Sequence, residues 1–219
     1  TENSRVLLLT LPKNYRFQSM HFSCLIFLFL LVSCNYTSKV STDLEQEPYF
    51  DMPSLVKQQL AHLDSLQPSV EVTAIIDGRQ EVETMQKDSA DWAETLKLFS
   101  DANINRPVLQ GRYQVKDSTD QSTEWNIRIY QARQPSDVEI PYLAVYYENS
   151  LDHVRKIETV FHEKNVLYYT ERRMEMQLKN TEVGALLTEY QSTGTQKMFF
   201  RDSVNYSLSA KVRYSLPSG

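Results

Sequence analysis

Val204-Asn205-Tyr206-Ser207-Leu208-Ser209-Ala210-Lys211-Val212-Arg213-Tyr214 decides the fold class of this chain. Successive side chains of an extended strand point to opposite faces. Val204, Tyr206, Leu208, Ala210, Val212 and Tyr214 therefore share one face, and Asn205, Ser207, Ser209, Lys211 and Arg213 share the other. One face is suited to burial and the other to water. The same period of two runs back to about residue 110. Trp125, Ile127 and Ile129 alternate with Asn126, Arg128 and Tyr130, and Leu143, Val145 and Tyr147 alternate with Tyr142, Ala144 and Tyr146. Further strands are expected over 154–162, 166–178 and 185–192, with Gly194 marking a turn into another over 196–201. Short links between successive strands imply antiparallel neighbours, because a parallel pair needs a crossover of a dozen residues or more.

Upstream the period changes. Asp51 is placed to cap a helix, Pro53 suits its first turn, and Met52, Leu55, Val56, Leu60, Leu63 and Leu66 recur at helical spacing until Pro68. Val70, Val72, Ala74 and Ile76 then alternate up to Asp77-Gly78, a tight-turn signal leading into 80–86, so a hairpin is expected. Asp88 opens a second helix over 88–102, with Asp91 in its first turn and Trp92, Leu96 and Phe99 on one face; Asn103 and Pro107 end it. The expected fold is α+β, a single domain over 49–219. Two N-terminal helices pack on a curved, half-barrel-like antiparallel meander of about seven to nine strands.

Composition narrows the partners. The chain has 219 residues and a formal net charge of -5, which argues against binding nucleic-acid backbones, since that requires a clustered basic face. Thirteen tyrosines against five glycines suit a packed strand-rich domain. The two cysteines, Cys24 and Cys34, both precede that domain, so no disulfide framework is expected to hold the core.

Leu25-Ile26-Phe27-Leu28-Phe29-Leu30-Leu31-Val32-Ser33-Cys34 reads as an export signal. Lys13 and Arg16 supply basic charge before it, and polar residues follow at once. The run is shorter than the ~20 apolar residues a spanning helix needs. Leu31, Val32 and Ser33 form a lipobox ahead of Cys34, the expected site of diacylglyceryl attachment. Residues 1–33 are then an upstream extension plus a signal peptide, with Met20 an internal candidate start. Residues 34–48 are the lipidated cysteine and a polar tether. Two or three acyl chains hold a protein at a membrane essentially permanently, since each buried methylene contributes ~0.8 kcal/mol.

Tyr49-Phe50-Asp51 opening a helix, Trp92 and Phe99 in a second, then Asp101, Ile104-Asn105-Arg106-Pro107 and Tyr113 resemble a family of uncharacterised Bacteroidota outer-membrane lipoproteins. Arg106 stands where that family more often has lysine. The resemblance implies a lipid anchor and a helix-plus-strand plan, and no activity. Surface-exposed lipoproteins of such bacteria carry an acidic cluster after the cysteine. Asn35-Tyr36-Thr37-Ser38-Lys39-Val40 contains no acid, which implies a periplasm-facing protein. Asp64-Ser65, Asp88-Ser89 and Asp202-Ser203 resemble the O-glycosylation sites of exported proteins in that group, although serine after aspartate also suits caps and turns.

Chemistry-bearing patterns are sparse. His62, His153 and His162 lack metal-ligand spacing, so no metal or cofactor is expected. No Gly-x-Ser-x-Gly elbow occurs, and Asp64 and Ser65 beside His62 are too close along a helix to form a triad. Asp152, Glu163, Glu171 and Glu175 alternate with Lys164, Arg172 and Arg173, a pattern suited to cross-strand ion pairs on a wet sheet face. The expected function is that of a non-enzymatic, membrane-anchored binding module of an envelope complex, recruiting its partner through a sheet edge. The alternative is a carrier of a lipid or other apolar ligand in a cavity lined by Trp92, Phe99, Trp125 and Tyr147. A dry interior of several hundred Å³ would favour carriage.

Overall fold

The computed structural model describes residues 48–164, 166–198 and 201–215, with Arg201 described by its backbone alone. The lipobox, Cys34 and the tether up to residue 47 lie outside the described residues. The element order is α1 (Met52–Leu66), β1 (Ser69–Ile76), β2 (Arg79–Gln86), α2 (Ser89–Ser100), then β3 (Tyr113–Thr119), β4 (Asn126–Ala132), β5 (Tyr142–Tyr147), β6 (Val154–Lys164), β7 (Tyr168–Thr181), β8 (Gly184–Met198) and β9 (Arg201–Arg213). The class is α+β. Among the described residues no helix is long and apolar enough to cross a membrane.

Both helices start where their capping residues dictate. The Asp51 carboxylate accepts from Ser54 N at 3.1 Å and from Ser54 Oγ at 2.7 Å. Asp88 and Asp91 form a reciprocal capping box, Asp91 N donating to Asp88 Oδ1 at 2.8 Å and Asp88 N to Asp91 Oδ2 at 3.3 Å. Gln67 ends α1 in the left-handed region at φ 42°, its N–H donating to the Leu63 carbonyl. Each helix buries one stripe, Met52, Leu55, Val56, Gln59 and Leu63 on α1, and Trp92, Leu96 and Phe99 on α2. These pack with Val70, Tyr130, Leu143, Val145, Ile157, Met174, Met176 and Tyr190 of the sheet in one core cluster.

The nine strands of the described residues form one antiparallel sheet in the order β2-β1-β9-β8-β7-β6-β5-β4-β3. It has two edges, β2 and β3, and does not close into a barrel. The meander runs only from β3 to β9. The β1–β2 hairpin is added to its far side, β1 pairing with the C-terminal strand β9. The register supplies the reason: Val70 lies opposite Val212, Val72 opposite Ala210 and Ala74 opposite Leu208, so the apolar face of β9 continues onto β1.

Gly194 is not a turn. β8 runs unbroken through it, with Arg172 and Tyr206 as its cross-strand partners. A Cβ at this position would meet Glu171 O and Tyr206 Oη at 2.6 Å. Glycine is therefore required here for close approach rather than for chain reversal.

The two ends of the sheet differ. The β1–β2, β4–β5, β6–β7 and β8–β9 links lie at one end, and the β3–β4, β5–β6 and β7–β8 links at the other. α1 enters at the first end, where the Tyr49 hydroxyl accepts from Gly111 N at 3.0 Å and Tyr113 N at 3.4 Å. It reaches toward the second, where Gln59 meets β8 at Ala185 and Leu187.

Candidate functional site: a polar groove on the outer sheet face

On the sheet face turned away from the helices, two open hollows of about 300 and 410 Å³ lie side by side over β5 to β9, the second reached also by Tyr206. They share Arg173 and Thr193. Strand pairing arranges their lining in cross-strand rows. One row is Tyr142, Val160, Arg173 and Thr193; the next is Glu158, Glu175 and Gln191. On the other side come Glu171 and Thr195, and then Tyr169 and Lys197; His162 and Lys164 extend these two rows on β6 outside the hollows. Residues directly opposite in neighbouring strands have Cβ atoms ~4.5–5.5 Å apart, so each row is a line of touching side chains.

The charges are largely engaged within the sheet. Glu158 accepts from Lys156 Nζ at 2.7 Å and from the Tyr146 hydroxyl at 2.9 Å, with the Lys156 ammonium 3.9 Å from the Tyr146 ring centroid. Glu175, directly opposite Glu158, accepts from Gln177 at 2.7 Å and from Gln191 at 3.0 Å. Two carboxylates opposite one another repel, and these four donors offset that cost. Glu171 lies 3.7 Å from His162 Nε2 and 3.6 Å from Arg173. The Arg173 side chain is nevertheless 73% exposed, leaving most of its donor fork turned to solvent over both hollows. Burial, then the nearby Glu158, raises the Tyr142 hydroxyl above the ordinary phenol range. Tyr146 is raised by burial and by its bond to Glu158, and Tyr169 by burial and Glu171. All three phenols are therefore held as proton-bearing donors.

The arrangement offers a planar cation, phenol donors, amides and carboxylates along an open trough. That suits hydrogen-bonding a polar chain. Among the described residues no group of three or more His, Cys, Asp or Glu is placed to hold a metal ion.

The four aromatic residues proposed from sequence as cavity lining lie elsewhere. Trp92 and Phe99 are core residues, 1% and 2% exposed, and Trp92 packs edge-on against Tyr190 at 6.4 Å. Trp125 is half-buried just before β4, with the Arg155 guanidinium 5.2 Å from its ring centroid. Tyr147 is half-buried at the end of β5 and packs against the core. None of the four lines either hollow. Arg173, Gln191, Thr193 and Glu158 went unnoticed as a group because only strand register makes them neighbours. The available signal was parity: each falls at an outward-facing position of its strand. The chain matches no family model, no curated protein and no solved structure, so fold and groove carry the functional reading.

Proposed function

We propose that this protein is a non-enzymatic lipoprotein of the bacterial cell envelope, a member of the Bacteroidota group it resembles. Cys34 anchors it to the periplasm-facing side of the outer membrane, and the outer-face groove binds a polar partner. The carrying observation is the pair of contiguous hollows sharing an exposed Arg173 on a face the core does not need. A guanidinium with free donors recognises carboxylates bidentately, so the partner presents acidic groups.

The finer shape we infer is a half-barrel. Adjacent strands rotate by roughly 20–25°, and nine of them curl around α1 and α2. The inside of that curve is occupied by Trp92, Leu96, Phe99, Met52 and Leu63, each 2% exposed or less. Carriage of an apolar ligand would require these side chains to leave their packing, which favours binding on the outside.

Two measurements test the reading. Metabolic labelling with palmitate should mark the wild-type chain and not Cys34→Ala; equal labelling removes the anchor. Capture of the lipidated protein from its own membranes should recover a partner with wild type and with Lys57→Glu, an exposed change on α1, but not with Arg173→Glu. The same recovery with Arg173→Glu, or no reproducible partner with wild type, would remove the groove as the binding site.

A further inference from the structure

Strands β6 to β9 overrun the rest of the sheet at the end where the chain enters. The row Tyr113, Ala132, Phe161, Arg172, Gly194, Tyr206, Ile76 follows from the pairings and the Ala132 N to Pro141 O bond, and it marks where β1 ends and β3 begins. β7 starts four residues beyond that row, at Tyr168, and β8 ends four beyond it, at Met198. At about 3.4 Å per residue these two hairpins project roughly 14 Å. Their apolar residues face water: Val166 is 91% exposed, Leu167 66% and Met198 41%.

Tyr168 lies opposite Met198, and one residue further in Tyr169 shares a row with Lys164 on β6 and Lys197 on β8, both exposed. The Tyr168 hydroxyl donates to Glu163. Apolar residues at the end, with phenol and ammonium groups sharing one row behind them, suit a lipid interface. Acyl chains accept Val, Leu and Met, the headgroup level favours amphipathic aromatic rings, and lysine reaches anionic phosphates.

The position of the chain entry selects the same end. Tyr49 is seated at the Tyr113 row, so the described chain begins at that end of the sheet. Fourteen residue steps separate Cys34 from Pro48, and a chain of that length reaches at most ~50 Å. That reach exceeds the ~14 Å by which the strands project. Val183, in the β7–β8 turn at the opposite end, is 56% exposed but lacks such a layer and lies a full strand length from the entry.

We propose that Val166 and Leu167, just before β7, and Met198, at the end of β8, insert into the lipid surface to which Cys34 anchors the chain; this rests on the anchor reading above. Insertion fixes the orientation of the domain, so that Arg173 is held at a set height over the membrane.

The test uses the lipidated full chain in phosphatidylethanolamine/phosphatidylglycerol vesicles. A nitroxide is attached at Val166→Cys, Leu167→Cys or Met198→Cys, or at Val183→Cys as the opposite-end control. All four positions are exposed, so folding is not at stake. Cys24 is removed with the signal peptide and Cys34 is blocked by its lipid, so the introduced thiol is the one that reacts. Labels at 166, 167 and 198 should lose access to a water-soluble nickel chelate and gain access to oxygen, with the label at 183 unchanged. Protein that sediments with the vesicles while all four labels keep equal access to nickel leaves the anchor standing and overturns insertion. Tip labels that are immobilised without gaining oxygen access show a protein contact instead, and also overturn it. Protein that stays in the supernatant removes the anchor and this proposal with it.

Discussion

Gln59 is fully buried on α1 and takes the place of a strand. Its Nε2 donates to the Ala185 carbonyl at 3.0 Å, and its Oε1 accepts from Leu187 N at 2.8 Å. The need arises where β8 loses its partner. Pairing with β9 stops at Glu189 opposite Lys211, and the register against β7 shifts between Gln177 and Leu178. Gln59→Leu keeps the approximate volume but strands one backbone donor and one acceptor away from water. Each unsatisfied group costs ~1–3 kcal/mol. With the added apolar surface offsetting part of that, the net loss is about 3 kcal/mol. In a domain of this size 1 kcal/mol shifts Tm by ~2–4 °C, so the variant should melt about 6–12 °C lower. Gln59→Glu adds a sign. Only the protonated acid can donate to Ala185 O, so the folded-state pKa lies above the unfolded value of ~4.3. The native hydrogen-bond pair is then present below pH ~4 and lost as pH rises. Thermal melts at pH 4 and pH 7 should show Gln59→Glu close to wild type in acid and well below it at neutrality. A Gln59→Leu melt within about 2 °C of wild type, or the same Gln59→Glu deficit at both pH values, would refute the account.

Gly194→Ala places a methyl 2.6 Å from Glu171 O and from the Tyr206 hydroxyl that accepts from Arg172 Nε. Overpacking costs ~1–3 kcal/mol against the ~0.4–1 kcal/mol that alanine gains through the unfolded state, so the urea midpoint should fall by an amount worth about 1–2 kcal/mol; an unchanged or higher midpoint refutes the close-approach role. Burial pushes the hydroxyls of Tyr113 and Tyr190 up to about 12. Because the folded pKa lies above the unfolded value of ~10, the stability they contribute is present below pH ~10 and is lost as pH rises towards 12. Ultraviolet titration should leave these two phenols un-ionised past the ordinary phenol range, with unfolding in that window; all tyrosines ionising together near pH ~10 in an intact fold would contradict their burial.

The helices were legible because their signals are local. Asp51, Pro53, Asp88 and Asp91 cap segments within four residues of themselves, and the structure forms both helices where those caps stand. β9 was legible for the same reason, its alternation being internal to one strand. Gly194 misled because glycine carries two meanings, a chain reversal or a close approach, and only Tyr206, brought in by β9, selects the second. The attachment of β1 to β9 joins residues about 140 positions apart, and no local pattern encodes that choice. The groove was hidden for a related reason. Glu158 and Glu175 each look like one more surface acid until register sets them opposite one another.

Tip and groove are neighbours along the same strands, and their spacing separates their roles. Tyr169 and Arg173 are four residues apart on β7 and face the same side, which places Arg173 about 14 Å farther from the tips. The polar region on each side of a bilayer's hydrocarbon is only ~5–8 Å thick. With Tyr169 at headgroup level, Arg173 and the upper hollow stand clear in water, while Lys197 and Tyr169 of the lower hollow meet lipid. A partner bound at Arg173 is thus held against the membrane surface without competing with lipid for that residue. Arg173→Glu should therefore abolish partner capture and leave the nitroxide depth at Val166 unchanged. If Arg173→Glu instead lifts the Val166 label out of the bilayer, the two features form one membrane-binding surface and the separation argued from strand geometry fails.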